Sequence, residues 1–506
     1  MAFNQRLHIV LLKIIILVLF LFNIIFLGRG ALSFPDENRY IRSYQGLELF
    51  INGDLSGGLK EIIINAGNPG FQIYSLVPSS TQWLFEKFFD QNHLSVKSLL
   101  IPQIFNLIVL ALTIYLFYSV FRLYINQFHS LFASALILLS FSSTVYLRHL
   151  LPYDLSILIF SFIIFKLFKA KELSTELLVY LGFLSSVLFS IYTGFFFLII
   201  ILYTLLLLKA KKKKVTTTLY YFSGFAPLII FFEILGRYAG TSYIYSLINH
   251  SSTISQGDYI EGFSFPWLYL YNIEGFTGIS FMLFSITFLI VKLKQNIISK
   301  KKADSLDQLI IITLFVLFVY CFQCYFLKKL VWYGRIFHFF VPIIIISTVK
   351  LFIELKLKDR TIICFGILSL LFVAPNYAEF QKVRYPRDIV EEYNINLKLK
   401  KNFIFSLHGG LTMFPFNKTK NTKAYQVSNL GFLWPEKNDI SHPAIRSLSA
   451  EKEFLHFLNI KPYQFEGFNS MQRKILRKEQ IFIQIFEKGQ KEKFKEVYYK
   501  INDEKE

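Results

Sequence analysis

The sequence has little charge, few cysteines and no nucleotide-binding loop. Only 17% of its 506 residues are charged, whereas 54% are hydrophobic and 18% aromatic. Soluble proteins are about a quarter charged, so this composition excludes an ordinary soluble enzyme, and its apolar mass excludes a disordered chain. Three cysteines provide no disulfide framework; Cys321 and Cys324 lie within an apolar run, where we interpret them as packing thiols. The absence of a G-x-x-x-x-G-K-[ST] motif argues against a phosphate-cradling loop.

Apolar stretches of spanning length recur over the first three-quarters of the chain, and about 20 apolar residues cross a bilayer. The predicted spans are 9–27, 99–121, 129–146, 153–168, 176–192, 194–208, 217–235, 274–291, 308–327, 336–353 and 361–375. The first is too long for the apolar core of a signal peptide and lacks a clear cleavage site, so we interpret it as a retained span. The sequence therefore predicts an α-helical polytopic membrane protein with about eleven transmembrane helices, in a domain covering 1–375.

The net charge of +20 is concentrated in clumps between the apolar runs. In a soluble protein this charge would suggest nucleic acid, but short loops rich in Lys and Arg are typical of the cytoplasmic side of a membrane protein. The cationic loops contain Arg122, Lys166, Lys169, Lys171, Lys209, Lys211 to Lys214, Lys292, Lys294, Lys300 to Lys302, Lys350, Lys356, Lys358 and Arg360. They share one side only if the N-terminus lies there too. We therefore expect a cytoplasmic N-terminus, membrane lipids as partners and no nucleic-acid partner.

An odd number of spans places three larger segments on the opposite face. They are a first outer loop (28–98), a middle loop (236–273) and a tail (376–506). Amphipathic pieces of the first loop, 40–50 and 72–89, are expected to lie along the membrane surface. The tail is more charged and contains β-like runs at 402–407 and 480–486. Its length suits one small extracytoplasmic α/β or α+β domain.

Three sets of polar residues are predicted to meet at the outer face. The first is Pro35-Asp36-Glu37-Asn38-Arg39-Tyr40, just after the first span. The second runs from Arg148 to Asp154, between the third and fourth spans, and the third runs from Lys328 through Arg335 to His338. The cations of the third set lie on the side that should be poor in them, so they need an anionic partner such as a phosphate. A solvated turn and general snorkelling to lipid phosphates are the alternatives.

One reaction requires acid and base together at headgroup depth, namely displacement of a lipid phosphate from a sugar's anomeric carbon. A carboxylate can take the proton of an acceptor hydroxyl, which contributes about 10²–10⁴-fold. Fixed Arg or Lys can stabilise the charge that develops on the departing phosphate. A polyprenyl carrier keeps the reacting carbon at the membrane surface, because its tail stays in the bilayer.

The first 375 residues resemble the GT-C membrane glycosyltransferases, in particular the protein O-mannosyltransferase and lipid A aminoarabinose transferase group. The resemblance rests on the order of elements: the first span, the acidic segment at 35–40, Asn52-Gly53-Asp54, and Asn68-Pro69-Gly70-Phe71. The segment 148–154 and Tyr333-Gly334-Arg335 followed by Pro342 also resemble family motifs. The resemblance implies a GT-C-like fold and a polyprenyl-phosphate-linked sugar as donor.

The same resemblance assigns roles to individual residues. Asp36 would be the catalytic base, with Glu37 second. The donor phosphate would contact Arg335, Lys329, Lys328 and Arg148. Arg39, Tyr40, Asp154 and His338 would support the cavity. The acceptor would be a lipid, a glycan or a protein, and the protein would lie in a bacterial inner membrane with its C-terminal domain in the periplasm.

The chain departs from the family pattern at Asn68-Pro69-Gly70, where relatives often carry two prolines after a Lys or His. No compact set of metal ligands is visible in the sequence. A divalent metal stays open, with His250, Asp258 and Glu261 as weak candidates. The alternatives to an inverting transferase are a transporter or flippase of lipid-linked sugars, and a surface-polysaccharide ligase or polymerase. A transporter predicts charges near the bilayer midplane and broken helices.

Overall fold

Helices make up most of the chain in the computed structural model. It describes residues 2–25, 27–28, 37–63, 68–91, 96–210, 213–255, 263–298, 302–327, 334–380, 403–407, 423–427 and 433–435. The helices are α1 (Ala2–Ile25), α2 (Asn38–Ile51), α3 (Leu55–Ile63), α4 (Pro69–Phe89), α5 (Val96–Arg122), α6 (Gln127–Leu139), α7 (Phe141–Leu147), α8 (Tyr153–Lys169), α9 (Thr175–Ile191), α10 (Phe196–Ala210), α11 (Lys214–Tyr238), α12 (Tyr243–Ser255), α13 (Ser264–Ile298), α14 (Ser305–Phe326), α15 (Gly334–His338), α16 (Phe340–Glu354) and α17 (Asp359–Phe380).

Seven helices of the described chain are long and apolar enough to cross a membrane. They lie on α1, α5, α10, α11, α13, α14 and α16. Each of the eleven predicted segments falls on helix, but the segment 129–146 is divided between α6 and α7, and α9 is an apolar helix of only 17 residues. The prediction of a helical polytopic membrane protein is confirmed, whereas the number of eleven spans stays a prediction.

Several helices begin where short polar side chains satisfy their first backbone N–H groups. Asn126 accepts a hydrogen bond from the backbone of His129 at 3.0 Å and starts α6. Asp304 accepts one from Asp307 N at 2.7 Å and starts α14. These caps compensate N–H groups that have no partner inside the helix. The sequence thus sets the ends of the helices by cap residues as well as by the limits of apolar runs.

Side-chain contacts divide the ends of the helix bundle into two groups. At the end that we call the cationic end, Tyr124 packs edge-on against Phe168 with ring centroids 5.4 Å apart. There Lys209 Nζ also donates to the carbonyls of Leu167 and Ala170 at 2.5 Å, which caps α8. The ends of α5, α8 and α10 therefore meet, as the pattern of cationic loops predicts. The orientation of this end in a membrane stays a prediction.

The opposite end of the bundle gathers the C-terminal part of α1 with α7 and α17. The hydroxyl of Thr144 donates to Asn23 Oδ1 at 2.7 Å and lies 3.0 Å from the hydroxyl of Tyr377. We call this the site end, because the candidate site described below lies there. At the site end, the start of the first outer loop lies beside the α7–α8 connection.

Glycines permit the closest helix contact, between α9 and α11. A Cβ atom at Gly182 would lie 1.9 Å from the carbonyl oxygen of Tyr221, and one at Gly224 would lie 2.0 Å from that of Val179. Since real Cβ atoms do not approach backbone so closely, the two helices can pack only with glycine at both positions. The close contact at these two glycines fixes the position of α9 against α11, and the C-terminal end of α9 reaches the candidate site.

The described part of the tail contains three short strands. They are β1 (Phe403–Leu407), β2 (Lys423–Val427) and β3 (Leu433–Pro435), with β1 parallel to β2 and β2 antiparallel to β3. The β-like run predicted at 402–407 corresponds to β1, while the run at 480–486 lies outside the described residues. The α/β or α+β domain at 376–506 stays a prediction, and α17 extends to Phe380, past the predicted domain boundary.

Candidate functional site

The site is built around a break in the third predicted span. The backbone of Ser140 is extended, with ψ at 127°, and separates α6 from α7. The break frees backbone N–H groups that a membrane cannot solvate. The carboxylate of Glu274, on α13, accepts from Phe141 N at 2.8 Å, from Ser142 N at 2.9 Å and from the Ser140 hydroxyl at 2.7 Å. Glu274 therefore caps α7 from a neighbouring helix and stabilises the break.

Two amide side chains of α5 bind the other end of α7. Gln103 Nε2 donates to the carbonyl of Arg148 at 2.9 Å. Asn106 Nδ2 donates to the carbonyls of Leu147 at 3.2 Å and of His149 at 2.8 Å. Carbonyls at the end of a helix have no partner inside it. The connection from α7 to α8 is thus held by side chains at both ends, and it carries the predicted residues Arg148 and Asp154.

Glu37 joins the first outer loop to this connection. Its side chain has no exposed area, and its Oε1 atom accepts a hydrogen bond from the backbone N–H of Leu150 at 2.7 Å. Its Oε2 atom lies 3.3 Å from Nδ1 of His149, which is also buried. Both oxygens of Glu37 are therefore engaged by the α7–α8 connection. This favours a positioning role for Glu37, and its predicted role as second catalytic carboxylate stays a prediction.

Asp154 and His338 join α8 to α15. Nε2 of His338 lies 2.7 Å from Oδ1 of Asp154, and both side chains are largely buried. The ring of His338 also packs against that of Tyr146, with centroids 4.3 Å apart. A carboxylate at this distance holds the imidazole ring in one orientation. The second and third predicted sets of residues therefore meet at the site end.

Two arginines lie in the same region as these carboxylates. The guanidinium of Arg39 lies 5.9 Å from the ring centroid of Tyr192, and Tyr192 packs against Tyr153 at 5.0 Å. Arg148 has no exposed area. A phosphate at this end could therefore reach the partly exposed guanidinium of Arg39, a group that binds phosphate well, whereas that of Arg148 is enclosed by protein.

Tyr40 belongs to a different cluster, between α2 and α4. Its hydroxyl donates to Gln82 Oε1 at 2.6 Å, and the hydroxyl of Tyr44 donates to the buried carboxylate of Glu86. Burial raises the pKa of Tyr40 and of Tyr44 above that of an exposed phenol, so both keep the proton that they donate. Tyr40 was predicted to support the cavity, and its described contacts do so only by fixing α2, whose first turn carries Arg39.

Several predicted residues lie outside the described part of the chain. They are Asp36, Lys328, Lys329, Asp258 and Glu261, together with the side chains of Arg335 and His250. Their predicted roles stay predictions. Among the described residues, no group of three or more His, Cys, Asp or Glu side chains could hold a metal ion. The divalent metal stays a prediction.

An apolar groove between α10 and α14 leads towards the site. It encloses about 470 Å³ and is lined by residues such as Ile200, Phe315 and Val316. At the end of the groove nearer the site end, the ring of Phe197 stacks on that of Phe340 with centroids 5.2 Å apart. It also packs against the ring of Phe339, the residue after His338, with centroids 5.5 Å apart. A chain lying in the groove would therefore have its polar end close to the Asp154–His338 pair.

Sequence reasoning missed several residues that hold the site. Glu274, Gln103 and Asn106 contact backbone groups rather than a motif partner, so no spacing pattern pairs them with α7. Two features of the sequence could have indicated these residues. Gln103 and Asn106 are three positions apart and share one face of α5, and Glu274 is a carboxylate at the start of an apolar span.

Comparison of the chain with known protein-family models, with curated proteins and with solved structures finds no match. The resemblance to the GT-C transferases thus rests on the motifs alone. The functional argument rests on the arrangement of Glu37, Arg39, Arg148, Asp154 and His338 at the site end.

Proposed function

We propose that this protein is an inverting membrane glycosyltransferase of the GT-C type, which moves a sugar from a polyprenyl-phosphate carrier to an acceptor at the outer face. One observation carries the proposal. Residues from the first outer loop, from the α7–α8 connection and from α15 lie together at one end of the bundle, with Glu37, Asp154 and His338 making the contacts between them. Three segments distant in the chain are thus joined there, and Phe339, the residue after His338, packs against Phe197 of the apolar groove, which supports the proposal.

In this mechanism the acceptor hydroxyl attacks the anomeric carbon of the donor. Asp36, which directly precedes the buried Glu37, takes the hydroxyl proton. The new bond joins the acceptor oxygen to the anomeric carbon, and the bond from that carbon to the phosphate oxygen breaks. The phosphate leaves with the bonding electron pair and stays on its lipid, next to Arg148 and the predicted cations Lys328, Lys329 and Arg335. A single displacement inverts the anomeric centre.

The groove between α10 and α14 suits the lipid portion of the donor. Its lining residues run from position 311 to 323 on α14, about 18 Å at 1.5 Å per residue. That length accommodates the first few isoprene units, while the rest of the chain extends into the bilayer. The finer assignments are a bacterial inner membrane, a cytoplasmic N-terminus, a periplasmic C-terminal domain and a lipid, glycan or protein as acceptor.

The test is transfer of a radiolabelled sugar from polyprenyl phosphate by the purified protein in lipid nanodiscs. We expect Asp36→Asn to insert normally and to lower turnover by about a hundredfold or more. Glu48→Gln, at an exposed position of α2, is the matched control and should retain full turnover. Undiminished transfer by Asp36→Asn would remove Asp36 from the mechanism. Arg335→Ala should impair donor use more than acceptor use.

A transporter or flippase of lipid-linked sugars is the second candidate, and one observation favours it. Gly275 has a φ of +64° and breaks α13 beside the buried Glu274, and broken helices with buried charge are typical of transporters. Glu274, however, begins its span, and the neighbouring Asn23 lies two residues from the end of α1. The charge is thus near a span end rather than the midplane. Movement of labelled donor across vesicles without any transfer would favour the transporter; a ligase or polymerase would lengthen a glycan instead.

A further inference from the structure

Helix α4 has its polar residues inside and its apolar residues outside. Its buried stripe is made of Gln72, Ser75, Ser79, Gln82 and Glu86, which are all at most 8% exposed. This spacing of three and four residues keeps them on one face. An amphipathic helix at the surface of a soluble protein has the reverse arrangement.

The buried stripe is held by hydrogen bonds to α2 and α5. Besides the contacts to Tyr40 and Tyr44, Gln82 Nε2 donates to Glu86 Oε1 at 2.9 Å and to the hydroxyl of Ser98 at 3.0 Å. Ser98, in the first turn of α5, also donates to Glu86. Because these bonds link three helices, the orientation of α4 about its own axis is fixed.

The opposite face of α4 is exposed and mostly apolar. Ile73, Val77, Leu84 and Phe88 are 42%, 56%, 49% and 80% exposed. Thr81 lies between them on the same face, and its hydroxyl donates to the carbonyl of Val77 at 3.1 Å. This hydrogen bond within the helix satisfies the hydroxyl donor. The charged residue at the edge of the stripe is Lys87, whose Nζ lies 5.6 Å from the ring centroid of Trp83 and whose long side chain can reach the headgroups.

The same pattern occurs on α5, which is one of the seven candidate spans. There Ser98 and Gln103 are fully buried, while Ile104 and Ile108 are 38% and 49% exposed. Polar-inside and apolar-outside helices are stable where the surrounding medium is hydrocarbon. The exposed stripe of α4 therefore matches the lipid-facing surface of its neighbour.

Both ends of α4 lie at the site end, so α4 does not cross the membrane. Its first turn packs on the C-terminal end of α9, where a Cβ atom at Gly70 would lie 2.3 Å from the hydroxyl of Ser190. That end of α9 leads into Tyr192, which contacts Arg39. The last turns of α4 bind Ser98, at the start of α5. Both of these points belong to the site end.

We propose that α4 lies in the membrane interface with the stripe Ile73, Val77, Leu84 and Phe88 inserted among the lipid acyl chains. Its polar stripe carries α2, and with it Glu37 and Arg39, on the side away from the lipid. Helix α4 is not among the seven candidate spans, because its inward polar stripe lowers the mean hydropathy of the helix. The partner of this surface is the bilayer itself, and the inference holds whether or not the protein transfers sugars.

The experiment uses nitroxide labels on the full-length protein in lipid nanodiscs. Cys364 is the exposed native cysteine among three and is replaced by serine, while Cys321 and Cys324 are buried. Single cysteines are then introduced as Val77→Cys and Leu84→Cys on the stripe. Ile108→Cys on α5 is the lipid-facing reference, and Glu48→Cys on α2 is the water-facing one. Relaxation by oxygen, which concentrates in lipid, is compared with relaxation by a water-soluble nickel chelate.

We expect the labels at positions 77 and 84 to behave like the label at 108, with oxygen access at least several-fold above nickel access relative to position 48. Labels at 77 and 84 that are as accessible to nickel as position 48 would overturn the proposal, since the stripe would then face water. Labels shielded from both reagents would overturn it as well, because a protein surface would then cover the stripe.

Discussion

The two ends of the helix bundle both bury charged side chains, but they join very different parts of the chain. At the cationic end, Lys292 Nζ lies 2.9 Å from Asp307 and 2.5 Å from Glu354, and Lys350 Nζ lies 2.8 Å from both Asp304 and Asp307. These residues come from α13, from α14 with its N-cap, and from α16, so they lie at most 62 positions apart in the chain. At the site end, the bond from Leu150 to Glu37 spans 113 residues and the His338–Asp154 contact spans 184.

The partners differ in kind as well as in separation. At the cationic end Lys292 and Lys350 contact three carboxylates directly, so the charges of both lysines are neutralised within the network of ion pairs. At the site end Glu274 binds backbone N–H groups that the break after α6 has freed, and Glu37 binds the backbone N–H of Leu150 in the α7–α8 connection. A buried ion pair is weak support for a functional site, because three packed helices can use one simply to fix their register. Irregular backbone held by side chains from distant helices is a stronger indication, since a membrane tolerates it only beside a cavity or within protein.

The comparison predicts its largest effect on activity for Glu37→Gln. The amide keeps an oxygen for the N–H of Leu150 but loses the charge beside His149, so the first turn of α2 should shift. A displacement of about 1 Å near reacting groups can cost about a hundredfold in rate. We expect sugar transfer to fall by about that factor while the thermal midpoint changes little.

The matched control for this prediction is Glu354→Gln, which alters a carboxylate of the cationic end. It should lower the thermal midpoint and leave transfer per folded molecule within about twofold, because it lies one α16 length, about 22 Å, from His338. Equal effects of the two variants on transfer would remove the distinction between the ends.

Lys350→Met should produce the largest change in stability. It leaves Asp307 buried with one lysine instead of two, and breaking a buried ion pair costs about 3–5 kcal/mol. The double variant Lys350→Met/Asp307→Leu keeps the Lys292–Glu354 pair and should recover most of that loss, since an apolar pair of similar size is often neutral. Unfolding in mixed micelles with increasing denaturing detergent gives both free energies. A double variant less stable than the single one would contradict this account of the network.

The sequence predicted the helices of the bundle better than it predicted the site. Long apolar runs determine spans because hydrocarbon requires satisfied backbone groups, and the eleven predicted segments all fall on helix. The break at Ser140 was missed because Ser140-Phe-Ser-Ser143 sits inside an apolar run, and its stabilising partner, Glu274, is 134 residues away. The acidic and basic sets were found because charge at a span end is unusual. Which of them touch depends on packing that no local pattern encodes, as the placement of Tyr40 against Gln82 illustrates.

The smallest expected effect concerns the most exposed of the three His–carboxylate pairs in the described residues. His8 lies 3.9 Å from Asp359 at the cationic end, with side chains 21% and 34% exposed, whereas His149 and Glu37 are 3.3 Å apart and almost wholly buried. Partly exposed pairs contribute about 0–1 kcal/mol because water and salt screen them. We therefore expect His8→Gln to change the unfolding free energy by less than about 0.5 kcal/mol and to leave transfer unchanged. His149→Gln should lower transfer clearly, since the amide cannot hold Glu37 in the same way. Both variants replace a histidine that contacts a carboxylate, and they differ in whether that pair is buried. Transfer measured for both in the same nanodiscs therefore shows the effect of burial at a constant residue type. If His8→Gln impaired transfer as much as His149→Gln, the cationic end would be part of the functional machinery.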